Sequence, residues 1–324
     1  MPKPVRLEEK LSLTLQPKSP YHFDANLHKP SHFPSSDTTW EPGIAWITMR
    51  WRGRRLGLKL VDRGTIDVPR VGVTVFSHAP LPTSFVRSLR EEIAWRFNFR
   101  QDLSGFLETY ANDAILGEAI ARWRGMRPVA ANSLYETLMI YVVLQNTVIR
   151  RSIAMLEALF DRFGKDVAFD GRIFSTFWTP REMRRSKEEE LRALRVGYRA
   201  RAFLRLTEAF ASGTVDEVAL RRAPKSEVER ALESLYGVGP ASLSYLLYEN
   251  FYFLDDLRIT PPWERKIMSR LLFGRRMVPE ARILRFFGSR YPGYEKLAFN
   301  YLWEDLFWRH QREPIEWLAA EIRR

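Results

Sequence analysis

The chain has 324 residues, no cysteine, and 51 Lys and Arg against 39 Asp and Glu, a formal net charge of +12. Without cysteine it can carry no disulfide scaffold, thiolate zinc site, cysteine nucleophile or cysteine-ligated iron–sulfur cluster, and 45% hydrophobic with 28% charged residues exclude a disordered chain. The length suits about two domains, and the positive excess fits a polyanionic partner, because clustered Lys and Arg release counterions from phosphates.

Residues before Trp40 hold Pro20, Pro30 and Pro34 among scattered polar groups and read as irregular. Between Gly43 and Phe76, short β-branched and aromatic segments alternate with period two. They predict antiparallel strands, with Arg52-Gly53-Arg54 as a hairpin turn. A β-rich N-terminal domain is therefore assigned to residues 1–90. From Ser84 onward the apolar spacing changes to three and four. Leu134, Leu138, Val142, Ile149, Ile153 and Phe160 lie along one stripe, which predicts one or two helices with an inward apolar face. Capping boxes are written at Ser133/Glu136, Thr179/Glu182 with Pro180 at N1, Ser186/Glu189, Thr214/Glu217 and Ser226/Glu229. Residues 91–324 are accordingly predicted to be all-helical. The fold class is α+β, mainly α.

The longest apolar stretch, Leu138 to Leu144, is far short of the ~20 residues that cross a bilayer. No membrane association is expected, and no segment has the order of a signal peptide, so the expected location is the cytoplasm, in association with the nucleoid. Five histidines without paired spacing give no expected metal site. Hydrolase and phosphate-loop motifs are also missing from the sequence.

The most specific segment runs from Leu232 to Leu247. Val228, Leu232 and Leu235 mark one helix, Gly237 stands where a left-handed residue would end it, and Pro240 opens a second helix with Leu243, Leu246 and Leu247 inward. Helix, Gly-Val-Gly turn and helix make a helix-hairpin-helix over residues 226–250. Its two glycines admit close approach of a phosphate, and the second helix offers free amides to that anion. Gly237, Val238, Gly239 and Ala241 are the candidate DNA-backbone contacts, which position a duplex without reading its sequence. The plain alternative is a helix–turn–helix that binds nothing.

This hairpin resembles that of the helix-hairpin-helix DNA glycosylase superfamily, and more closely its 3-methyladenine DNA glycosylase II branch. Phe97-Asn-Phe-Arg-Gln-Asp102, Gly125-Met-Arg-Pro128, Leu144-Gln-Asn-Thr147 and Gly197-Tyr-Arg-Ala200 resemble that branch in order and spacing. The β-rich N-terminus matches the extra domain the branch shares with 8-oxoguanine glycosylases. The resemblance implies a two-lobed helical glycosylase domain, with the first lobe and cleft over residues 131–250 and C-terminal helices over 261–324. It implies flipping of a damaged nucleotide from double-stranded DNA and cleavage of its N-glycosidic bond by a monomer. Relatives that also cut the strand carry a lysine two residues after the second hairpin glycine; here that residue is Ala241, which implies hydrolysis without lyase chemistry.

The family's carboxylate sits ~20–22 residues beyond the second hairpin glycine, a window that falls on Ile259, Thr260 and Pro261, none acidic. Asp256 and Asp255 are therefore the candidate catalytic residues, with Glu264 in reserve; the alternative is that the two aspartates only solvate the loop or pair with Arg258. Gln145 and Asn146 fall where relatives fill the hole left by the flipped nucleotide. Trp178, Tyr198, Tyr248 and Trp263 are candidates for a base pocket, since π faces attract a cationic alkylated purine. The function expected is excision of alkylated or deaminated purines. The alternatives are an 8-oxoguanine glycosylase and a protein that binds lesions without cutting. No cofactor is expected, although a monovalent cation on the hairpin carbonyls would leave no mark in the sequence.

Overall fold

The alternating N-terminal segments build the larger of two sheets in the computed structural model, which describes residues 3–322. The N-terminal strands are β1 (Val5–Arg6), β2 (Glu8–Leu15), β3 (Thr38–Glu41), β4 (Ile44–Trp51), β5 (Arg54–Asp62) and β6 (Val71–Ser77), of which β2 to β6 make up this sheet. The order β2-β6-β5-β4-β3 is antiparallel throughout. Arg52 and Gly53 both have positive φ, the geometry of a tight turn whose twist suits a hairpin. On one face, Leu56, Leu58, Leu60, Val71, Val73 and Val75 pack under helix α1 (Thr83–Arg96). The period-two alternation is what places all six on one side.

Two features depart from the sequence reading. Strand β2 lies in the stretch read as irregular. Within the region read as all-helical, β7 (Lys165–Phe169) and β8 (Arg172–Thr176) form an antiparallel hairpin, and β1 pairs with β7 in parallel. The turn between them, Asp170-Gly171, has positive φ at both residues. This is a short-range hairpin signal that the count of capping boxes outweighed. The small sheet packs on the other face of the large one: a Cβ at Gly57 would lie 2.6 Å from the Phe169 ring, so only glycine fits there.

The longer helices that follow are α2 (Leu134–Leu144), α3 (Ile149–Phe163), α4 (Arg199–Ala211), α5 (Lys225–Glu233), α6 (Pro240–Glu249), α7 (Pro262–Phe273), α8 (Glu280–Arg290) and α9 (Glu295–Arg312). The single stripe from Leu134 to Phe160 is two helices, broken where Asn146 turns left-handed at φ 47°. Capping boxes form at Ser133 and Thr179. Elsewhere the helices begin differently: Asp216, not Thr214, caps its helix, and α5 starts after Pro224, ahead of Ser226.

Helices α2 to α6 gather round one apolar core. Helices α7 to α9, with short helices between Ser104 and Arg122, surround a second. Helix α6 belongs to both, with Leu243, Leu246 and Leu247 in the first core and Tyr248 in the second. No helix among the described residues is long and apolar enough to cross a membrane.

Candidate nucleic-acid interface and inter-lobe cleft

Gly237 ends the α5 turn at φ 88°, a conformation that a Cβ disfavours, and Gly239 caps α6 in extended backbone. Pro240 occupies N1, and Leu243 N–H closes the first helical bond onto Gly239 O at 2.9 Å. The first-turn amides, Ala241 among them, have no intrahelical acceptor. A Cβ at Gly239 would meet nothing within 4 Å, so the approach to these amides is open. Val238 is partly buried against the first core and fixes the turn.

The break after α2 is fastened to this turn. Gln145 Nε2 donates to Gly237 O at 2.7 Å, while Arg199 donates to Val142 O at 3.0 Å and to Gln145 O. Asn146 is exposed, with Nδ2 3.5 Å from Tyr198 Oη. Gln145 is thus held by the hairpin and Asn146 is the freer side chain. Val148, Ile149, Tyr198 and Tyr236 are all about half-exposed beside it. The sequence reading placed Ile149 on a buried stripe and passed over Tyr236, whose signal was its position directly before Gly237.

The two candidate aspartates lie on the loop after α6. Asp255 is exposed and accepts from Lys225 Nζ at 2.8 Å. Asp256 is buried and held by Arg258 Nε at 2.8 Å and Lys225 Nζ at 3.2 Å, and its backbone oxygen accepts from Ser244. Two cations therefore already balance Asp256.

A cluster the sequence did not disclose lies at the seam of the two helical cores. Tyr245 Oη, one turn along α6 from Ala241, donates to Glu264 Oε1 of α7. Tyr141 Oη of α2 donates to Glu249 Oε2 at 2.6 Å. The Lys296 amine of α9 lies 4.3 Å from the Tyr245 ring centre and 5.2 Å from that of Phe299. Lys29 reaches the same region from the N-terminal segment, near Glu304 and Glu249. Glu264 Oε2 and Lys29 Nζ have no hydrogen-bond partner among the described residues. Burial pushes the Glu264 carboxyl up and the Lys296 and Lys29 amines down, and it pushes the Tyr245 phenol well up. Tyr141, Tyr245 and Glu249 are the partly buried members of the cluster.

The four aromatic candidates do not share one pocket. Trp178 is buried in the first core against Phe160, Phe163 and Phe177, beside a cavity of about 380 Å³ also lined by Arg50, Tyr135 and Asp216. Tyr198 is on the hairpin face. Tyr248 is buried in the second core near Lys296, and half-exposed Trp263 stands edge-on to Trp303 at 4.9 Å. Tyr248 and Trp263 therefore flank the seam cluster, whereas Trp178 does not.

No protein-family model matches the chain. It is 25% identical over 211 residues to a probable N-glycosylase/DNA lyase of Methanothermobacter thermautotrophicus, a match that covers 58% of this chain and 66% of the relative, just under two thirds. The 3-methyladenine DNA-glycosylase from Archaeoglobus fulgidus superposes with a TM-score of 0.70 at 16% identity, over 94% of this chain and 99% of that one. An 8-oxoguanine glycosylase/lyase of Clostridium acetobutylicum, solved with double-stranded DNA containing cytosine opposite 8-oxoG, superposes with a TM-score of 0.68 at 15% identity, over 95% and 98%. With both lobes and the N-terminal sheet covered, the chain has the fold of the helix-hairpin-helix DNA glycosylases.

Proposed function

We propose that the protein is a DNA glycosylase of base excision repair, which grips duplex DNA at the Gly237–Ala241 turn and cuts the N-glycosidic bond of a flipped modified purine. The observation that carries this reading is the juxtaposition of an open helix N-terminus with Tyr245, one turn further along the same helix, against which α7 and α9 bring the buried Glu264 carboxyl and Lys296 amine. The α6 amides hold a phosphate, Asn146 enters the space left by the flipped nucleotide, and the base passes between the lobes to the seam. There a carboxylate stabilises the cationic sugar as the bond breaks. Glu264 is favoured over Asp256 for that role, because Asp256 is neutralised by Arg258 and Lys225 whereas Glu264 is bound only by a neutral phenol.

Alkylated or deaminated purines are the first substrate class. One observation favours a second, an oxidised purine such as 8-oxoguanine: the Tyr245 ring is already faced by the Lys296 amine, so a cationic alkylated base would meet like charge where a carbonyl oxygen would meet a donor.

Single-turnover base release from duplexes bearing a methylated purine, hypoxanthine or 8-oxoguanine tests the reading. Release is expected from at least one of them. Glu264→Gln should slow it by roughly 10²–10⁴-fold, while Asp255→Asn and Asp256→Asn stay close to wild type. A rate lost in Asp256→Asn and kept in Glu264→Gln would return the role to Asp256. Tight lesion binding with no release would leave a protein that recognises damage without cutting it.

A further inference from the structure

Helices α7 and α8 and the turn between them carry charge of nearly one sign. Residues 262–290 hold eight Lys and Arg against two acids, half of the chain's formal net charge of +12. Neither acid forms a salt bridge among the described residues: Glu264 is buried at the seam, and Glu280 accepts from Thr260 N–H at 2.8 Å. Arg270 of α7, Arg275 and Arg276 of the turn, and Arg282 and Arg285 of α8 are all exposed, and they too form no salt bridge among the described residues. The next cation, Arg290, pairs with Asp113 at 2.8 Å, and on the first lobe Arg184 pairs with Glu208 and Arg192 with Glu188. The unpaired cations are nonetheless held. The Arg282 guanidinium lies 4.6 Å from the Phe273 ring centre and that of Arg270 5.3 Å from the ring centre of Trp317, while Arg265 Nε is 3.2 Å from Met277 Sδ. A guanidinium stacked on a ring keeps its in-plane N–H donors for an anion. Gly274 closes α7 left-handed at φ 61°, and Val278 N–H donates to Ser269 Oγ at 3.0 Å, which fixes the turn.

Resting on the glycosylase reading for the duplex at Gly237–Ala241, we propose that the exposed face of α7 and α8 is a second DNA-backbone surface, which holds the arm of that same duplex beyond the modified nucleotide. Interspersed charge of both signs is the ordinary composition of a protein surface, and a field of one sign is what attracts a polyanion. Seven of the eight cations are arginine, whose planar fork suits phosphate oxygens. Position supplies the occupant. Helix α7 begins at the seam, where Glu264 accepts from Tyr245, one turn along α6 from Ala241. From Arg265 to Arg275 the row runs about 15 Å, the axial length of roughly four or five phosphates on one strand. It therefore starts beside the hairpin's second helix and leads away from it, as the arm of a bound duplex does. Contacts of this kind go to phosphate alone. The surface accordingly holds sound and damaged duplex alike, adds affinity and speeds encounter, and leaves the bond-breaking step untouched.

The test compares the full wild-type chain with Arg275→Gln/Arg276→Gln by fluorescence anisotropy in a salt series. The probes are duplexes of about 10 and about 30 base pairs centred on the modified nucleotide, the shorter spanning about 34 Å. The double substitution should weaken binding of the longer duplex roughly 10-fold at low salt and lower the slope of log affinity against log salt by about 1.8, the counterions of two phosphates. The shorter duplex should bind as it does to wild type, and single-turnover base release from the saturated complex should be unchanged. Arg87→Gln/Arg90→Gln, which removes the same charge from exposed positions on α1, should leave affinity for the longer duplex within about two-fold of wild type. A loss shared by both lengths, or by the α1 variant, would trace the effect to the hairpin contact or to overall charge and overturn the proposal. No loss at either length would leave the face to solvent or to an acidic protein, and overturn it equally. Two short duplexes bound per chain would put a separate duplex on the face and overturn the assignment to the arm. Those outcomes touch this surface only; failure of wild type to bind duplex or to release a base would instead remove the glycosylase reading itself.

Discussion

Asp37, in the loop before β3, accepts a hydrogen bond from Ser35 and faces Glu136 and Glu157. Burial, reinforced by those acids, pushes its pKa up to about 6 from an ordinary 3.8. Between these values the native state holds a proton that the unfolded chain has lost, so the contribution of Asp37 to stability is full below pH 4 and declines as pH rises through 6. The decline amounts to at most about 3 kcal/mol. Asp37→Asn keeps an acceptor for Ser35 and should remove this component, making the variant more stable than wild type at pH 7 and no more stable at pH 4. Denaturant unfolding across that interval reads the difference; parallel profiles for the two proteins would contradict it. Nothing in the residues around Asp37 announced a buried acid, because the groups that enclose it come from positions a hundred residues away.

The hairpin is the element where local sequence said most. Gly237, Gly239 and Pro240 each have a conformational reason that acts within a few residues, and each stands where that reason put it. Gly239→Asp separates its two possible roles: φ is an ordinary −97° and a Cβ there meets nothing, so stability should change by less than about 0.5 kcal/mol. The added carboxylate faces the approaching phosphate, so affinity for every duplex, damaged or sound, should drop roughly 10-fold or more. Titrations showing a loss confined to one lesion would count against a backbone-only contact. By the same logic the strand pair β4–β5 was legible from its period and turn. Helix α6 was legible from its proline and leucines, but not the partners of Tyr245. Glu264 and Lys296 come to it from α7 and α9, and such a convergence depends on how helices cross, which no window of sequence encodes. The β7–β8 hairpin was missed for a different reason: its Asp-Gly turn was local and readable, and the surrounding helical signals masked it.

At the scale of the molecule, the sheet with α1 is joined to the first helical lobe by a buried charge network. Glu92 of α1 accepts from Arg96 at 2.7 Å and from Arg221 at 2.9 Å; Arg221 also donates to Glu217 at 2.6 Å, and Glu217 caps Leu134 N–H at 2.9 Å. Arg96 extends the network to Glu136, the acid of the Ser133 capping box. Glu92→Ala leaves two buried guanidinium groups short of a counter-charge and should destabilise the fold by about 3–5 kcal/mol. Urea unfolding of the two proteins measures the loss; a change below 1 kcal/mol would show that water takes over the partners. The net charge and the β-then-α order of the chain were readable from composition and periodicity. That one junction of five ionised groups binds the two parts was not, since its members span residues 92 to 221.

Because α6 has one side in each helical core, the two lobes share a structural spine and cannot swing apart without tearing both. The seam where Tyr245, Glu264 and Lys296 meet is therefore braced from both sides. On the proposed activity, nearly all the distortion needed to bring a base into it falls on the duplex. A site weakened by a lesion or a mispair bends and unstacks more cheaply than sound DNA. Discrimination would then begin in the stiffness of the nucleic acid, before any side chain has touched the base.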